Sequence, residues 1–210
     1  MNGVIFVISS PTGAGKTTLC NLVEKERDDV QRVITHTTRK PREGEKNGVD
    51  YHFVSNEEFK RMIKMGEFVE YAFVHSNFYG TSKNALIDVL NQGKFPILAI
   101  DVQGAKNISN SFDNVVNIFI LPPGFEIWLE RIKKDRSRDS LNVRLKTAID
   151  ELSELEFFDY CIINDSLEKA LKKLHSIIDA ATSKIAFFKE DYLKLANTLK
   201  NDIKEFLGGE

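Results

Sequence analysis

The sequence has few cysteines, few prolines and no long apolar run. Its two cysteines, Cys20 and Cys161, lie far apart and form no C-x-x-C motif, so we expect buried, reduced thiols and no disulfide framework. No stretch approaches the roughly 20 apolar residues of a membrane helix. The apolar N-terminus lacks the basic residues that open a signal peptide and therefore predicts a first strand. These absences favour a cytoplasmic protein with no membrane partner.

An excess of charge of one sign is also lacking. The chain has 29 Lys and Arg against 31 Asp and Glu, a formal net charge of −2, which gives no reason to expect a nucleic-acid partner. With 210 residues, 42% apolar and 29% charged, it is long enough to bury a core as one domain, with room for a small lobe.

Strand and helix patterns alternate along most of the chain. Continuous apolar runs, typical of strands buried on both faces of a parallel sheet, occur at 3–9, 95–101, 115–122 and 160–164. Helical patterns lie between them, at 16–27, 103–109, 124–134, 141–158 and from 166 onward. This alternation predicts an α/β fold whose parallel sheet is covered by helices on both faces.

Residues 32–90 differ and predict a small inserted α+β lobe. "YHFV" and "FVEYAFV" are typical of short strands, and between them a helix is predicted from "SNEEF". Ser55 is its expected N-cap, Glu58 lies three residues later as in a capping box, and Gly66 suits the C-terminal stop.

Two further segments stand out. The charged stretch "KKDRSRDSLN", residues 133–142, separates two helical patterns and predicts a flap. Near the C-terminus, apolar residues recur at steps of three and four and predict a long amphipathic helix: Ile185, Phe188, Tyr192, Leu195, Leu199, Ile203 and Phe206. We expect this helix to pack on its own domain or on a partner subunit, which makes a homodimer reasonable.

The stretch "SSPTGAGKTTL", residues 9–19, follows a predicted strand and precedes a predicted helix. It matches the phosphate-binding loop G-x-x-x-x-G-K-[ST] except that Ser10 replaces the first Gly, which is tolerable where φ is negative. In such loops backbone N–H groups surround the phosphates, Lys reaches their oxygens and a Ser or Thr hydroxyl ligates Mg²⁺. The predicted ATP-binding residues are Ser10, Pro11, Thr12, Gly13, Ala14, Gly15, Lys16, Thr17 and Thr18.

The segment "THTTRKPREGEKNGVDYHFV", residues 35–54, predicts a second phosphate site. Two guanidiniums and a phenol, from Arg39, Arg42 and Tyr51, suit bidentate phosphate binding, although a solvated basic loop is the alternative. Further on, Glu70 lies in a predicted strand; one carboxylate can accept hydrogen bonds from both N1–H and N2–H₂ of guanine, and adenine offers no such pair. An ATP loop beside a lobe for another nucleotide predicts a phosphoryl-transfer kinase.

From about residue 3 to residue 178 the sequence resembles a guanylate kinase of the bacterial type. The resemblance rests on the loop, on residues 35–54, and on "NFYGTS" (77–82), "IDVQG" (100–104), "LPP" (121–123) and "IIND" (162–165). It implies a P-loop three-layer α/β/α fold with a parallel core sheet, a GMP-binding lobe and a short lid. The expected division is core 1–34, 82–132 and 145–182, lobe 35–81, lid 133–144 and C-terminal helix 183–210.

The resemblance also implies a role for each matching residue. The GMP phosphate would be held by Arg39, Arg42, Tyr51 and Tyr79, and guanine would be read by Thr35, Glu70 and Thr81. Lys16 would hold the ATP phosphates, Asn164 would lie near the adenine, and Mg²⁺ would be ligated by Thr17 and Asp101. The arginines over ATP would be Arg131, Arg144 and either Arg136 or Arg138.

The expected reaction is ATP + GMP giving ADP + GDP, with dGMP as a further expected substrate. Ala99 stands where relatives usually have a second acid, which leaves Asp101 as the sole carboxylate at that strand end. Two alternatives stay open: a different nucleoside monophosphate kinase, and a non-catalytic guanylate-kinase-like binding module. The intact Lys16 and Thr17 favour the enzyme.

Overall fold

The computed structural model describes residues 3–74, 76–134 and 140–208. At least one helix separates each strand of the larger sheet from the next along the chain, as predicted. In chain order the helices and strands are β1 (Ile5–Ser9), α1 (Lys16–Glu26), β2 (Val30–Arg32), β3 (His36–Thr37), β4 (His52–Phe53), α2 (Asn56–Lys64), β5 (Phe68–Val74), β6 (Asn77–Ser82), α3 (Lys83–Asn91), β7 (Phe95–Ala99), α4 (Val102–Ser111), β8 (Val115–Leu121), α5 (Phe125–Lys134), α6 (Leu141–Ser153), β9 (Tyr160–Ile163), α7 (Leu167–Thr182) and α8 (Lys189–Phe206).

Five of these strands form a parallel sheet in the order β2-β7-β1-β8-β9. The central strand β1 is buried along its whole length. Its alternate residues enter two different cores, because successive side chains of a strand point to opposite faces. Phe6 and Ile8 pack with residues of α1 and α7, whereas Ile5 and Val7 pack with residues of α3 and α4. The predicted three-layer α/β/α architecture is confirmed.

A second sheet, in the order β4-β3-β6-β5, forms the inserted lobe. Helix α2 covers it, and Phe59 stacks on Phe68 with ring centroids 4.5 Å apart. The predicted cap of α2 is present, since the Ser55 hydroxyl accepts a hydrogen bond from the Glu58 backbone N–H. The Glu58 carboxylate instead binds Arg61, so the capping box is formed on one side only. Gly66 ends the helix with φ 64°.

Several boundaries differ from the sequence-based expectations. The helix predicted over 141–158 ends at Ser153, and a short 3₁₀ turn, Leu155–Phe157, follows it. The helical pattern from 166 onward is two helices, α7 and α8. The short strand β2 and the helix α3 were not predicted. Of the predicted lid, residues 135–139 lie outside the described part of the chain.

One thiol does not have the expected environment. Cys20 is buried, as predicted, but Cys161 is exposed, so the expectation of two buried thiols is wrong. The reason is position, because Cys161 belongs to β9, the last strand at one edge of the core sheet.

The C-terminal helix α8 is helical as predicted, but no residue of it is buried. Its start is attached to the core: Phe188, its N-cap residue, packs edge-on against Phe95. Beyond Tyr192 the apolar side chains face solvent, with Leu195 58% and Phe206 90% exposed. Packing on its own domain, one of the two expected uses, is therefore observed only at the start of this helix. Among the described residues, none of the helices is both long and apolar enough to cross a bilayer.

Candidate active site

The phosphate-binding loop joins the end of β1 to the start of α1. Gly13 and Gly15 have φ angles of 82° and 102°, in the left-handed region that glycine adopts without a Cβ penalty. Ser10 is not among the positive-φ residues of the described chain, and it is buried. Its substitution for glycine is therefore compatible with the loop, as expected. The turn is closed by the Ala14 N–H, which donates to the Pro11 carbonyl at 3.1 Å.

Residues distant in the sequence hold the loop from outside. The Asn164 Nδ2 donates to the Ala14 carbonyl at 2.8 Å, and a Cβ at Gly15 would lie 2.4 Å from the same Nδ2. From α5, the Trp128 indole N–H donates to the Thr12 carbonyl at 2.9 Å. Asn164 thus lies against the loop backbone, a contact the sequence did not indicate. Its expected position near the adenine stays a prediction.

Lys16 and Asp101 lie at the carboxyl ends of neighbouring parallel strands, where α/β sheets bind ligands. The Lys16 Nζ donates to the Ile100 carbonyl at 2.9 Å. Asp101 is the N-cap of α4, and its Oδ1 accepts from the Gly104 N–H at 2.8 Å. Thr17 and Thr18 are exposed in the first turn of α1, at the helix end that favours anions.

In the lobe, the Arg39 guanidinium forms a bidentate pair with Glu45 at 2.9 and 2.8 Å. Glu45 also accepts from the Arg42 backbone N–H at 2.7 Å. Burial acts to raise the pKa of Glu45, but these hydrogen bonds outweigh it and leave the pKa below its ordinary value. Arg39 also lies 5.3 Å from the centre of the Tyr51 ring, which is itself 6.1 Å from the Tyr79 ring.

The structure therefore brings Arg39, Tyr51 and Tyr79 together, as the resemblance implied. Glu45 was missed. The available signal was a carboxylate inside a basic segment, in "RKPREGEK". In the structure the Glu45 carboxylate binds the two Arg39 N–H donors that would otherwise face an anionic phosphate.

Glu70 is the buried acid of the lobe, 5% exposed. Its Oε1 accepts from the Thr81 hydroxyl at 2.6 Å. Burial raises the pKa of Glu70 to about 7, the hydrogen bond from Thr81 opposes the rise, and the Asp101 charge adds to it. Thr35 is also buried, and the β3–β6 register, which pairs His36 with Gly80, brings it next to Thr81. Thr81 thus lies between Thr35 and Glu70 in the sheet, and their use as one guanine subsite stays a prediction.

The structure describes two of the arginines expected over ATP. Arg131 on α5 donates to the Asn164 carbonyl at 3.2 Å. Arg144 on α6 is 4% exposed, and its guanidinium donates to the Ile132 carbonyl at 3.0 Å. Arg136 and Arg138 lie outside the described residues, so the choice between them stays open.

Glu151, on the last turn of α6, was also missed. Burial raises its pKa to about 7, the charge of Lys16 opposes the rise, and the charge of Asp101 adds to it. Among the described residues, no group hydrogen-bonds its buried Oε2. The only available signal was an acid within an otherwise unremarkable helical pattern. Within the same ranges, no group of three or more His, Cys, Asp or Glu side chains is arranged to hold a metal ion.

Comparison with known proteins agrees with this geometry. The family model described as guanylate kinase matches residues 3–181. The chain belongs to the guanylate kinase family. It is 42% identical over 194 residues to "Guanylate kinase" of Clostridium perfringens (strain 13), covering 91% of this chain and 90% of that protein. It is also 42% identical to "Guanylate kinase" of Caldanaerobacter subterraneus, covering 92% and 95%.

A solved structure has the same fold. The crystal structure of guanylate kinase from Anaplasma phagocytophilum superposes with a TM-score of 0.75 at 37% identity, covering 87% of this chain and 88% of that chain. The predicted family, fold class and enzyme class, a guanylate kinase with GMP and ATP as substrates, are therefore confirmed. None of these comparisons favours the alternative of a different kinase or a binding module. The role of each site residue stays a prediction.

Proposed function

We propose that the protein transfers the γ-phosphoryl group of ATP to GMP, and also to dGMP, giving ADP and the corresponding diphosphate. One observation carries the assignment of the acceptor: a buried carboxylate, Glu70, is held by Thr81 in a lobe that also presents Arg39, Tyr51 and Tyr79. The acid and the basic cluster together suit a purine nucleotide whose base has two N–H donors on one edge and whose ribose carries a phosphate.

On the ATP side, backbone N–H groups of the phosphate-binding loop and of the start of α1 bind the phosphates. Lys16 leaves the Ile100 carbonyl to reach the phosphate oxygens. The donor set fits Mg²⁺, because Thr17 offers an exposed hydroxyl and Asp101 a carboxylate; this ion is usually held by one or two carboxylates together with substrate phosphates. When bound, Mg²⁺ neutralises charge on the β- and γ-phosphates.

On the GMP side, the guanidiniums of Arg39 and Arg42 and the phenols of Tyr51 and Tyr79 bind the phosphate. The phosphate replaces the Glu45 carboxylate as the partner of Arg39. Thr35, Glu70 and Thr81 bind guanine, and Glu70 must be ionised there because it has to accept two N–H groups. Binding therefore favours the ionised form of an acid that burial alone keeps partly protonated near neutral pH.

A GMP phosphate oxygen then attacks the γ-phosphorus and ADP leaves. The acceptor oxygen is already anionic near neutral pH, so positioning and charge neutralisation do most of the catalysis. Arg131, Arg144 and one of Arg136 and Arg138 stabilise the charge on the transferred group; such arginines can be worth on the order of 10³ in rate. Closure of the lobe and lid excludes water, which would otherwise accept the phosphoryl group.

A coupled assay of ADP production with GMP, AMP, UMP and CMP tests the substrate. We expect GMP to be preferred by orders of magnitude. Preference for another monophosphate would indicate a different kinase, and binding without turnover would indicate a non-catalytic module.

Lys16→Ala tests the phosphate-binding loop. We expect turnover to be lost while GMP binding, followed by calorimetry, survives. Turnover equal to the unmodified protein would remove Lys16 from this role.

A homodimer through α8 is part of the proposal, supported by its exposed apolar side chains, among them Leu195, Leu199 and Phe206. Sedimentation showing a monomer at all accessible concentrations would contradict it. Cytoplasmic localisation and the lack of a nucleic-acid partner stay predictions.

A further inference from the structure

A glycine in the first turn of α4 lies beside the acid that is proposed to read guanine. Gly104 is buried, and a Cβ built on it would lie 2.9 Å from Oε2 and 3.4 Å from Cδ of Glu70. Real Cβ atoms essentially never approach a heavy atom to within 3.0 Å. The Glu70 carboxylate therefore occupies the space that any other residue at position 104 would fill.

The backbone itself gives no reason for glycine at this position. Gly104 lies inside a regular helix, Val102–Ser111, and its φ is not in the left-handed region, unlike Gly13 and Gly15. In a helix interior, glycine is less stable than alanine. The sequence thus has a residue that is unfavourable for α4, and the shortest contact that an alanine Cβ would make is with the Glu70 carboxylate.

The contact also spans two parts of the molecule. Glu70 belongs to β5 of the lobe, whereas Gly104 belongs to a helix of the core. Glu70 is held on one side by the Thr81 hydroxyl at Oε1 and bounded on the other by Gly104 at Oε2. The carboxylate thus lies between Thr81 and α4.

We propose that Gly104 is a positioning residue for guanine recognition: by having no side chain, it lets the Glu70 carboxylate lie against α4 in the orientation that accepts the guanine N–H groups. The inference rests on the proposed role of Glu70 as the guanine reader. A methyl group at position 104 displaces the carboxylate, because the far end of the Glu70 side chain moves more easily than the helix.

The test is Gly104→Ala, with Gly124→Ala as the matched control, since a Cβ at Gly124 meets nothing within 4 Å. For Gly104→Ala we expect the KM for GMP to rise about 10- to 100-fold, the cost of a misplacement of about 1 Å in a positioned group. The preference for GMP over AMP should fall with it. The KM for ATP should not change, and the control should keep both KM values and the GMP preference of the unmodified protein.

Stability separates this role from a general packing fault. Alanine is favoured over glycine in a helix, so the melting temperature of Gly104→Ala should be unchanged or higher while GMP selectivity is lost. A lowered melting temperature with equal losses of ATP and GMP affinity would overturn the inference. Because the new Cβ would also lie 3.2 Å from Cδ1 of Ile100, Ile100→Val in the same chain removes that second contact and gives a folded variant if Gly104→Ala alone does not fold.

A double-mutant cycle with Glu70→Ala completes the test. If Gly104 acts through Glu70, adding Gly104→Ala to Glu70→Ala should change the KM for GMP less than twofold; additive effects would overturn the inference. If the unmodified protein does not phosphorylate GMP, the proposed function fails. If it does and Gly104→Ala keeps both its KM and its preference, only the inference about Gly104 fails.

Discussion

Replacing Glu70 by Gln should make the protein more stable and less selective. The pKa of Glu70 rises from its ordinary value of 4.5 to about 7 in the folded chain, chiefly through burial. At about 1.4 kcal/mol per pKa unit, this rise means that the ionised carboxylate lowers the free energy of unfolding by about 3 kcal/mol. Gln has nearly the same shape, is never charged, and can still accept the hydrogen bond from Thr81.

The sign of the effect depends on pH. Below pH 4.5 Glu70 is protonated in both the folded and unfolded states and carries no penalty. The penalty develops as the pH rises from 4.5 to about 7, where the folded state binds more protons than the unfolded state, and it is complete above that range. Glu70→Gln should therefore raise the free energy of unfolding by about 3 kcal/mol at pH 8 and by less than about 1 kcal/mol at pH 5.

The assay is thermal and urea unfolding of both proteins between pH 5 and pH 8. For a domain of this size, about 3 kcal/mol is a rise of about 6 to 12 °C in melting temperature. Glu151, whose pKa is also raised to about 7, is present in both proteins and cancels in the difference. Exposed Glu130, changed to Gln, is the control and should stay within about 0.5 kcal/mol at every pH.

The reasoning is refuted if the gain is the same at pH 5 and pH 8, or if Glu70→Gln is less stable at pH 8. The same variant should lose its preference for GMP over AMP, because the Gln amide N–H₂ faces the guanine donors. An unchanged preference would remove Glu70 from the base-reading role while leaving the stability argument intact.

The remaining predictions concern the loop support and the lobe core. Asn164→Ala removes the side-chain donor to the Ala14 carbonyl. We expect the free energy of unfolding to fall by about 1 to 3 kcal/mol and the KM for ATP to rise. A KM for ATP equal to that of the unmodified chain would argue against this supporting role. Phe59→Ala removes a fully buried ring stacked on Phe68 and Phe78. We expect the free energy of unfolding to fall by about 3 to 5 kcal/mol and GMP binding, measured by calorimetry, to weaken. A melting temperature within about 1 °C of the unmodified protein would contradict this expectation.

Much of the fold and part of the site followed from the sequence by itself. The β1 run, the glycines of the phosphate-binding loop and the Ser55 cap of α2 depend on neighbours within a few residues, so local pattern was enough to predict them. In the lobe, side-chain chemistry alone pointed to Arg39, Arg42, Tyr51 and Glu70, and the resemblance then implied a role for Tyr79. The structure brings Arg39, Tyr51 and Tyr79 together. The short strand β2, Val30–Arg32, was missed because three residues carry too little periodicity to stand out.

The remaining features depend on tertiary structure. Asn164 meets Ala14 across 150 residues of sequence, and Gly104 meets Glu70 only because α4 lies beside β5. The exposure of Cys161 depends on the place of β9 in the sheet order. Each of these features depends on sheet order, strand register or the packing of one layer on another. The local spacing of apolar residues carries no information about such long-range contacts. The sequence therefore determined the elements and the chemistry of the loop, and only the folded chain decided which side chains position that chemistry.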